Sequence, residues 1–450
     1  MFKGARLSVA IDALDHDGAG VGSADGRRVH VAFAVPGDRV EAEVEHLSPH
    51  GLDAWARLVE VRAPSAQRVP PACRAYGRCG GCVLQALAYP AQLEHKRARL
   101  AEALAAAGLS VEPGPCVASP RPLGYRDKSK LVVAADEGRV ILGAFAPRSH
   151  EVVDLSGCAV AEPPLDELAS TVAELATRLG VRPFDERSAR GDLRHVVLRV
   201  SARGEVMAVL VVARRGIEAI ARLGRALRAA RPEVIGVVEN LHAARGNVLF
   251  GEVEPDVVLD GTGVLDEFVG GTRLRLSARA FFQVNRALAA LLYADVAAAA
   301  ALGGVERVVD VYCGVGGIAL TLAPRAAAVV GIEEHAGAVA DAAAGAALNH
   351  VSHARFFAGD AAALLGDPSV VGDRADVVVL NPPRKGCDPA VLAAAAKLAP
   401  RTILYVSCSP TTLALDLAAL GPLGYRARRV TPYDMLPHTP HVEALAVIER

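Results

Sequence analysis

The chain has 450 residues, 52% of them hydrophobic and 22% charged, with a formal net charge of -1. That length exceeds one ordinary domain, so two or three are expected, and the near-neutral balance gives no global argument for a nucleic-acid partner. The N-terminus, MFKGARLSVAIDALD, has no apolar run resembling a signal peptide, and no uncharged apolar stretch reaches the ~18 residues of a membrane span, so a soluble, cytoplasmic protein is expected.

Residues 1–62 read as short strands and turns. Val29, Val31, Phe33 and Val35 alternate, Pro36-Gly37-Asp38 punctuates, and Val40, Ala42 and Val44 resume the period, which predicts a small β-barrel. Barrels of this size commonly bind oligonucleotides. Pro64, Pro70 and Pro71 then mark a linker. Between positions 62 and 99 seven basic residues face one acid, Glu94, and Arg121, Arg126, Lys128 and Lys130 follow against Asp127. Such tracts attract phosphates, although arginines also populate ordinary solvated faces.

Cys73, Cys79 and Cys82 have the spacing C-x5-C-x2-C, and Cys158 follows in Ser156-Gly157-Cys158. In a chain with no export signal, cysteines so spaced point to a metal centre before disulfides, and four thiolates suit zinc or an iron–sulfur cluster. Leu93, Arg97, Leu100 and Leu104 predict a helix over 90–104. Residues 121–260 mix strand-like runs at 131–133, 196–200 and 206–212 with a helical stretch at 217–230, giving a central α/β region.

From about 286 the texture becomes alternating helix and buried strand, with strands predicted at 308–311, 328–332, 376–380 and 402–406. This is the pattern of a doubly wound, Rossmann-like parallel sheet. Its first strand runs into Asp310-Val311-Tyr312-Cys313-Gly314-Val315-Gly316-Gly317, a turn that lets backbone approach a nucleotide-like ligand. Glu333, ending the next strand, suits ribose hydroxyls, and Asp360 suits an adenine amino group. A dinucleotide would use similar geometry; the two acids and the lack of a full Gly-x-Gly-x-x-Gly favour S-adenosylmethionine.

Downstream lie Asn381-Pro382-Pro383-Arg384, Ser407-Cys408-Ser409-Pro410 and His441-Val442-Glu443. The first two follow predicted strands directly, where ligands of an open α/β sheet bind, so Cys408 should face the cofactor cleft. Cys408 is the candidate nucleophile and Glu443 the candidate base, with Arg384 positioned to favour the thiolate.

These motifs resemble the RNA (uracil-5-)methyltransferases, specifically the branch acting on 23S ribosomal RNA. The resemblance covers nearly the whole chain, though within 160–260 it is weak apart from Gly191-Asp192-Leu193-Arg194-His195. It implies an OB-like TRAM barrel over 1–62, a central RNA-binding region with the cluster cysteines over 63–265, and an S-adenosylmethionine-dependent methyltransferase domain over 266–450. Phe281-Phe282-Gln283-Val284-Asn285 resembles the family's Phe-x-Gln-x-Asn motif, which implies that Gln283 contacts the cofactor. By the same resemblance Tyr312, Gly314, Glu333, Asp360 and Asn381 belong to the cofactor and substrate pocket, Arg384 to the substrate, Cys408 is the nucleophile and Glu443 the proton acceptor. Cys73, Cys79, Cys82 and Cys158 are implied ligands of a [4Fe-4S] cluster. Structured RNA is the implied partner, with the protein acting as a monomer. One departure stands out: the family usually has Asp before Pro-Pro-Arg, and Asn381 loses that charge while adding an NH2 donor. The alternatives are the same chemistry on transfer RNA, or a catalytically silent RNA-binding factor on this fold.

Overall fold

A computed structural model describes every residue except 148, 245–247 and 252–253. Five strands between Arg6–Leu14 and Asp53–Ala63 close into a barrel whose interior is small and β-branched, with Val9, Ile11, Val29, Val31, Val40 and Ala42 at most 2% exposed. The alternation that predicts a strand through Val35 continues past the strand itself. The strand Arg27–Val31 ends four residues earlier, and Phe33 turns the chain at φ +66°.

The middle of the chain forms a seven-stranded sheet covered by the helices Pro163–Arg178 and Glu218–Ala230. Its interior strand Val206–Val212, third of the seven, is buried throughout, which suits its uninterrupted apolar sequence.

The C-terminal part is a second seven-stranded sheet. Its strands are β1 (Arg307–Val311), β2 (Ala328–Glu333), β3 (Ala354–Ala358), β4 (Val377–Leu380), β5 (Thr402–Ser407), β6 (Arg426–Tyr433) and β7 (Glu443–Glu449). They lie in the order β3-β2-β1-β4-β5-β7-β6; β1 to β5 are parallel, and β7 is antiparallel to both β5 and β6. Both faces are covered. Val308, Val377 and Leu404 pack into one core with the helix Arg286–Ala300, while their neighbours Val309, Val378 and Ile403 pack into another. That second core also contains Leu100 and Leu104, so helix α1 (Tyr89–Ala106), distant in sequence, completes it. No helix among the described residues is long and apolar enough to cross a membrane.

Candidate active site

The cofactor loop begins where β1 ends. Tyr312, Gly314 and Gly316 all have positive φ (63°, 53° and 81°), which reverses the chain within five residues and starts the helix Gly317–Leu322. A side chain at Gly316 would meet Ala342 at 3.1 Å, so glycine there serves helix packing; a Cβ at Gly314 would meet nothing within 4 Å, so that backbone is open to a ligand. Glu333, at the end of β2, accepts from the Gly314 N–H at 3.0 Å and from the His335 N–H at 3.0 Å, fixing its carboxylate beside the loop. Asp360 is exposed and caps the helix Ala361–Leu365 through the Ala363 N–H at 2.9 Å.

Asp310, 1% exposed, accepts from the Ala319 N–H at 2.9 Å, while its buried Oδ1 has no partner among the described residues. Burial pushes its carboxyl up to about 7. An orphaned buried acceptor beside an open glycine turn fits a cationic or hydrogen-bond-donating ligand such as S-adenosylmethionine. Sequence reasoning quoted Asp310 and gave it no role; its place immediately before the turn was the available signal. Tyr293 was also missed. Its hydroxyl abuts Gly317, where a Cβ would approach to 2.6 Å, and it lies within electrostatic reach of Asp310 and Glu443.

Gln283 sits half-buried in the segment ahead of the helix Arg286–Ala300, and among the described residues its side chain makes no hydrogen bond. Asn285, by contrast, is structural. It caps that helix through the Leu288 N–H at 3.2 Å and donates to Ser119 and to the Met435 carbonyl.

Asn381 follows β4, its N–H donating to the Val311 carbonyl at 3.2 Å, which sets it alongside the cofactor loop. Cys408 follows β5. Ser407 Oγ both donates to the Ser409 carbonyl and accepts from the Ser409 N–H, each at 3.1 Å, so the flanking serines bracket the cysteine. Ser409 caps the helix Pro410–Leu420, which places the thiol near a helix N-terminus, a position that favours the thiolate. Thr412 in that helix donates to the Arg384 carbonyl at 3.3 Å, and Asp416 accepts from the Cys387 N–H at 2.8 Å, clamping the Arg384 loop against it.

Glu443 opens β7, where Ala444 pairs with Ser407. The register therefore brings Glu443, Cys408 and Arg384 together. Burial pushes Glu443 up to about 7, with the Arg384 guanidinium opposing. Burial, and then Glu443, push the Cys408 thiol up, and Arg384 again opposes. A buried carboxylate poised near neutrality suits a general base.

The loop preceding Glu443 is held by α1. Lys96, fully buried, pairs with Asp434 and donates to the Leu436 carbonyl at 3.0 Å; the His438 N–H donates to Gln92 at 3.0 Å; and Arg99 donates to the Pro440 carbonyl. Part of the basic tract is thus buried or already paired within the chain. Lys96 is buried, Arg68 pairs with Asp38 at 2.7 Å and Arg97 with Glu94 at 2.8 Å.

Cys73, Cys79, Cys82 and Cys158 are free thiols, and among the described residues no group of three or more His, Cys, Asp or Glu has the arrangement of a metal-ion site. Cys82 nevertheless lies within electrostatic reach of the other three. Burial chiefly, then Cys158, Cys79 and Cys73, push Cys82 up to about 12. Arg74 donates to the Ser156 carbonyl, joining the two cysteine segments.

The sequence profile of the tRNA (uracil-5-)-methyltransferase family matches residues 370–450, and that of the methyltransferase small domain matches 289–400. The chain is 42% identical to a protein of Geobacter sulfurreducens named an uncharacterized RNA methyltransferase, over 99% of this chain and 90% of that one. It is 36% identical to one of the same description from Listeria innocua, over 99% and 98%. Among solved structures, the tRNA (uracil-54, C5)-methyltransferase of Pyrococcus abyssi in complex with S-adenosyl-L-homocysteine superposes with a TM-score of 0.79 at 26% identity, covering 98% of this chain and all of that one. Full-length relatives, a matching C-terminal profile and the same architecture agree: the chain belongs to the RNA (uracil-5-)methyltransferase family of S-adenosylmethionine-dependent enzymes.

Proposed function

We propose that this enzyme methylates carbon 5 of a uridine in structured RNA through a covalent cysteine adduct. The observation that carries the proposal is the convergence of Cys408, Arg384 and Glu443 beside the cofactor loop. Bound S-adenosylmethionine supplies an electrophilic methyl group; Gln283, Tyr312, Gly314, Glu333, Asp360 and Asn381 are the residues that would hold it together with the target base. Carbon 5 of uracil is a weak nucleophile. The Cys408 thiolate adds to carbon 6, making carbon 5 enolate-like and able to take the methyl. Glu443 then removes the carbon-5 proton, the carbon–sulfur bond breaks and the thiolate returns. Arg384 stabilises the thiolate before addition and after release. The base must leave its stack to reach this pocket.

The substrate proposed first is 23S ribosomal RNA. Transfer RNA is the second reading, favoured by the likeness to the Pyrococcus abyssi enzyme. The barrel over 1–62 is read as a TRAM-like RNA contact, the region 63–265 as the central domain and 266–450 as the catalytic one, acting as a monomer in the cytoplasm. Cys73, Cys79, Cys82 and Cys158 would hold a [4Fe-4S] cluster, whose role is structural: it would tie the segment after the barrel to the central sheet, which the Arg74–Ser156 hydrogen bond already joins. Nucleoside mass spectrometry on unmodified 23S and transfer RNAs, incubated with enzyme and S-adenosylmethionine, tests the reading. New 5-methyluridine in one of them supports it and identifies the substrate; methylation of a cytosine or of an exocyclic amine contradicts it.

A further inference from the structure

The central sheet holds a cavity of about 590 Å³ that methyl transfer leaves unused. It opens where the loop 182–192 meets the ends of the strands Leu193–Val200 and Val206–Val212, and Arg182, Arg190, Arg194 and Arg214 line it together with Phe184. The loop can fold back only because position 191 is glycine: at φ +122°, a Cβ there would lie 2.2 Å from the Pro183 carbonyl oxygen. Asp192, 3% exposed, accepts from Arg182 at 2.8 and 2.9 Å and from Arg214 at 3.0 Å, which fixes both guanidiniums along the wall.

Arg194 is 4% exposed. Its Nη1 donates to the carbonyls of His242 and Ala244 at 3.1 and 2.9 Å, and its guanidinium lies 4.3 Å from the centre of the Phe184 ring. Among the described residues its buried Nε has no partner. A buried cation with an unmade hydrogen bond is expensive unless an anion completes it. Among the described residues Arg190 forms no salt bridge. The acids near the four arginines are Asp192 beneath them, Glu186 on the rim, itself 3.2 Å from His150, and Asp185, which pairs with Arg190 through the backbone and whose carboxylate accepts from the Ser188 N–H at 2.7 Å. The cavity therefore carries surplus positive charge around a pre-placed donor set, the chemistry that recognises a phosphate.

We infer that this cavity binds a phosphate group of the RNA strand at a point separate from the catalytic pocket, with Arg190 and Arg194 as its principal donors. The inference rests on RNA being the substrate. The strand Leu193–Val200 links the two places: it starts at the cavity, and near its far end Arg199 donates to the Ala280 carbonyl, just ahead of Gln283. At ~3.3 Å per residue that strand spans roughly 25 Å, so RNA held at both points would be fixed in register over the catalytic cleft.

The test is binding of full-length protein to a short fluorescein-labelled oligouridylate across a salt series, with Arg190→Glu and Arg190→Lys beside wild type. Arg190→Glu should weaken binding about tenfold and lower the salt slope by about 1–2, while Arg190→Lys stays within about threefold and S-adenosylmethionine binding is unchanged in both. Titration with inorganic phosphate separates the sources. If phosphate binds wild type but not Arg190→Glu while RNA affinity is equal in the two, the site takes a free anion and the RNA assignment is overturned. Equal RNA affinity and slope with no phosphate binding overturn the site altogether. Because binding is read without turnover, failure of the methylation chemistry is scored separately.

Discussion

Replacing Glu443 by Gln separates the two halves of the proposed reaction. The side chain is 7% exposed, burial pushes its carboxyl up to about 7 and Arg384 opposes that shift. As a base it must be ionised. Wild-type turnover should therefore fall about tenfold per unit below pH 7, reaching roughly a tenth of its plateau at pH 6. Gln keeps the volume and the backbone pairing with Tyr433 but cannot take a proton. Loss of a positioned base costs ~10²–10⁴ in rate, or roughly 3–5 kcal/mol of barrier. Addition of Cys408 and methyl uptake remain possible, and losing the Glu443 charge makes the thiol more acidic, because that carboxylate is one of the causes holding it up. The expected outcome is a stalled, methylated RNA–protein adduct that survives denaturing electrophoresis, formed at lower pH than wild type requires. A Glu443→Gln enzyme turning over within tenfold of wild type with no adduct would refute the assignment of Glu443 as base.

Other expectations follow from the same geometry. Arg384→Gln removes the cation that lowers both Cys408 and Glu443, so the acidic limb of the pH–rate profile should move upward; an unmoved limb would separate Arg384 from the pair. Asp310 is raised to about 7 in the fold, so its neutral form is the favoured one. Its stabilisation is complete below the unfolded value near ~4 and is lost as pH rises through 7, so Asp310→Asn should raise the melting temperature at pH 8 and leave it unchanged at pH 4. Lys96→Ala strands the buried Asp434 carboxylate and should cost about 3–5 kcal/mol in denaturant unfolding, whereas Lys96→Met with Asp434→Leu should be nearly neutral. Anaerobically purified protein should contain about four irons. Cys79→Ser should lose iron and its visible absorbance while staying folded, and stoichiometric zinc instead would sink the cluster assignment.

How much of this was legible in the sequence depended on range. Val308, Val309 and Val311, or Val377 to Leu380, announce themselves as buried strands because both faces of a parallel sheet are covered. The loop after Asp310 and the segments around Arg384 and Cys408 fall at the ends of predicted strands, whereas the strand that Glu443 opens was not among those the sequence predicted. The helix over 90–104 was equally plain, but its function was not. Gln92, Lys96 and Arg99 look like one solvated stripe, and only a contact 338 residues away turns Lys96 into an anchor for the loop before Glu443. The same limit hid the arginine cavity, whose members lie in separate segments among many ordinary surface arginines. Local alternation misled at Phe33, where an apolar residue on the strand period turns the chain instead.

The most direct test of the central claim is to offer the enzyme RNA transcribed with 5-fluorouridine in place of uridine. Fluorine at carbon 5 cannot be removed as a proton, so a cysteine adduct that has taken up the methyl group cannot resolve. Digestion and peptide mass spectrometry should then find a methylated 5-fluorouridine nucleotide attached to the peptide containing Cys408, and no adduct with Cys408→Ala. Methyl incorporation into RNA without any covalent adduct, or an adduct mapped to another cysteine, would contradict the account.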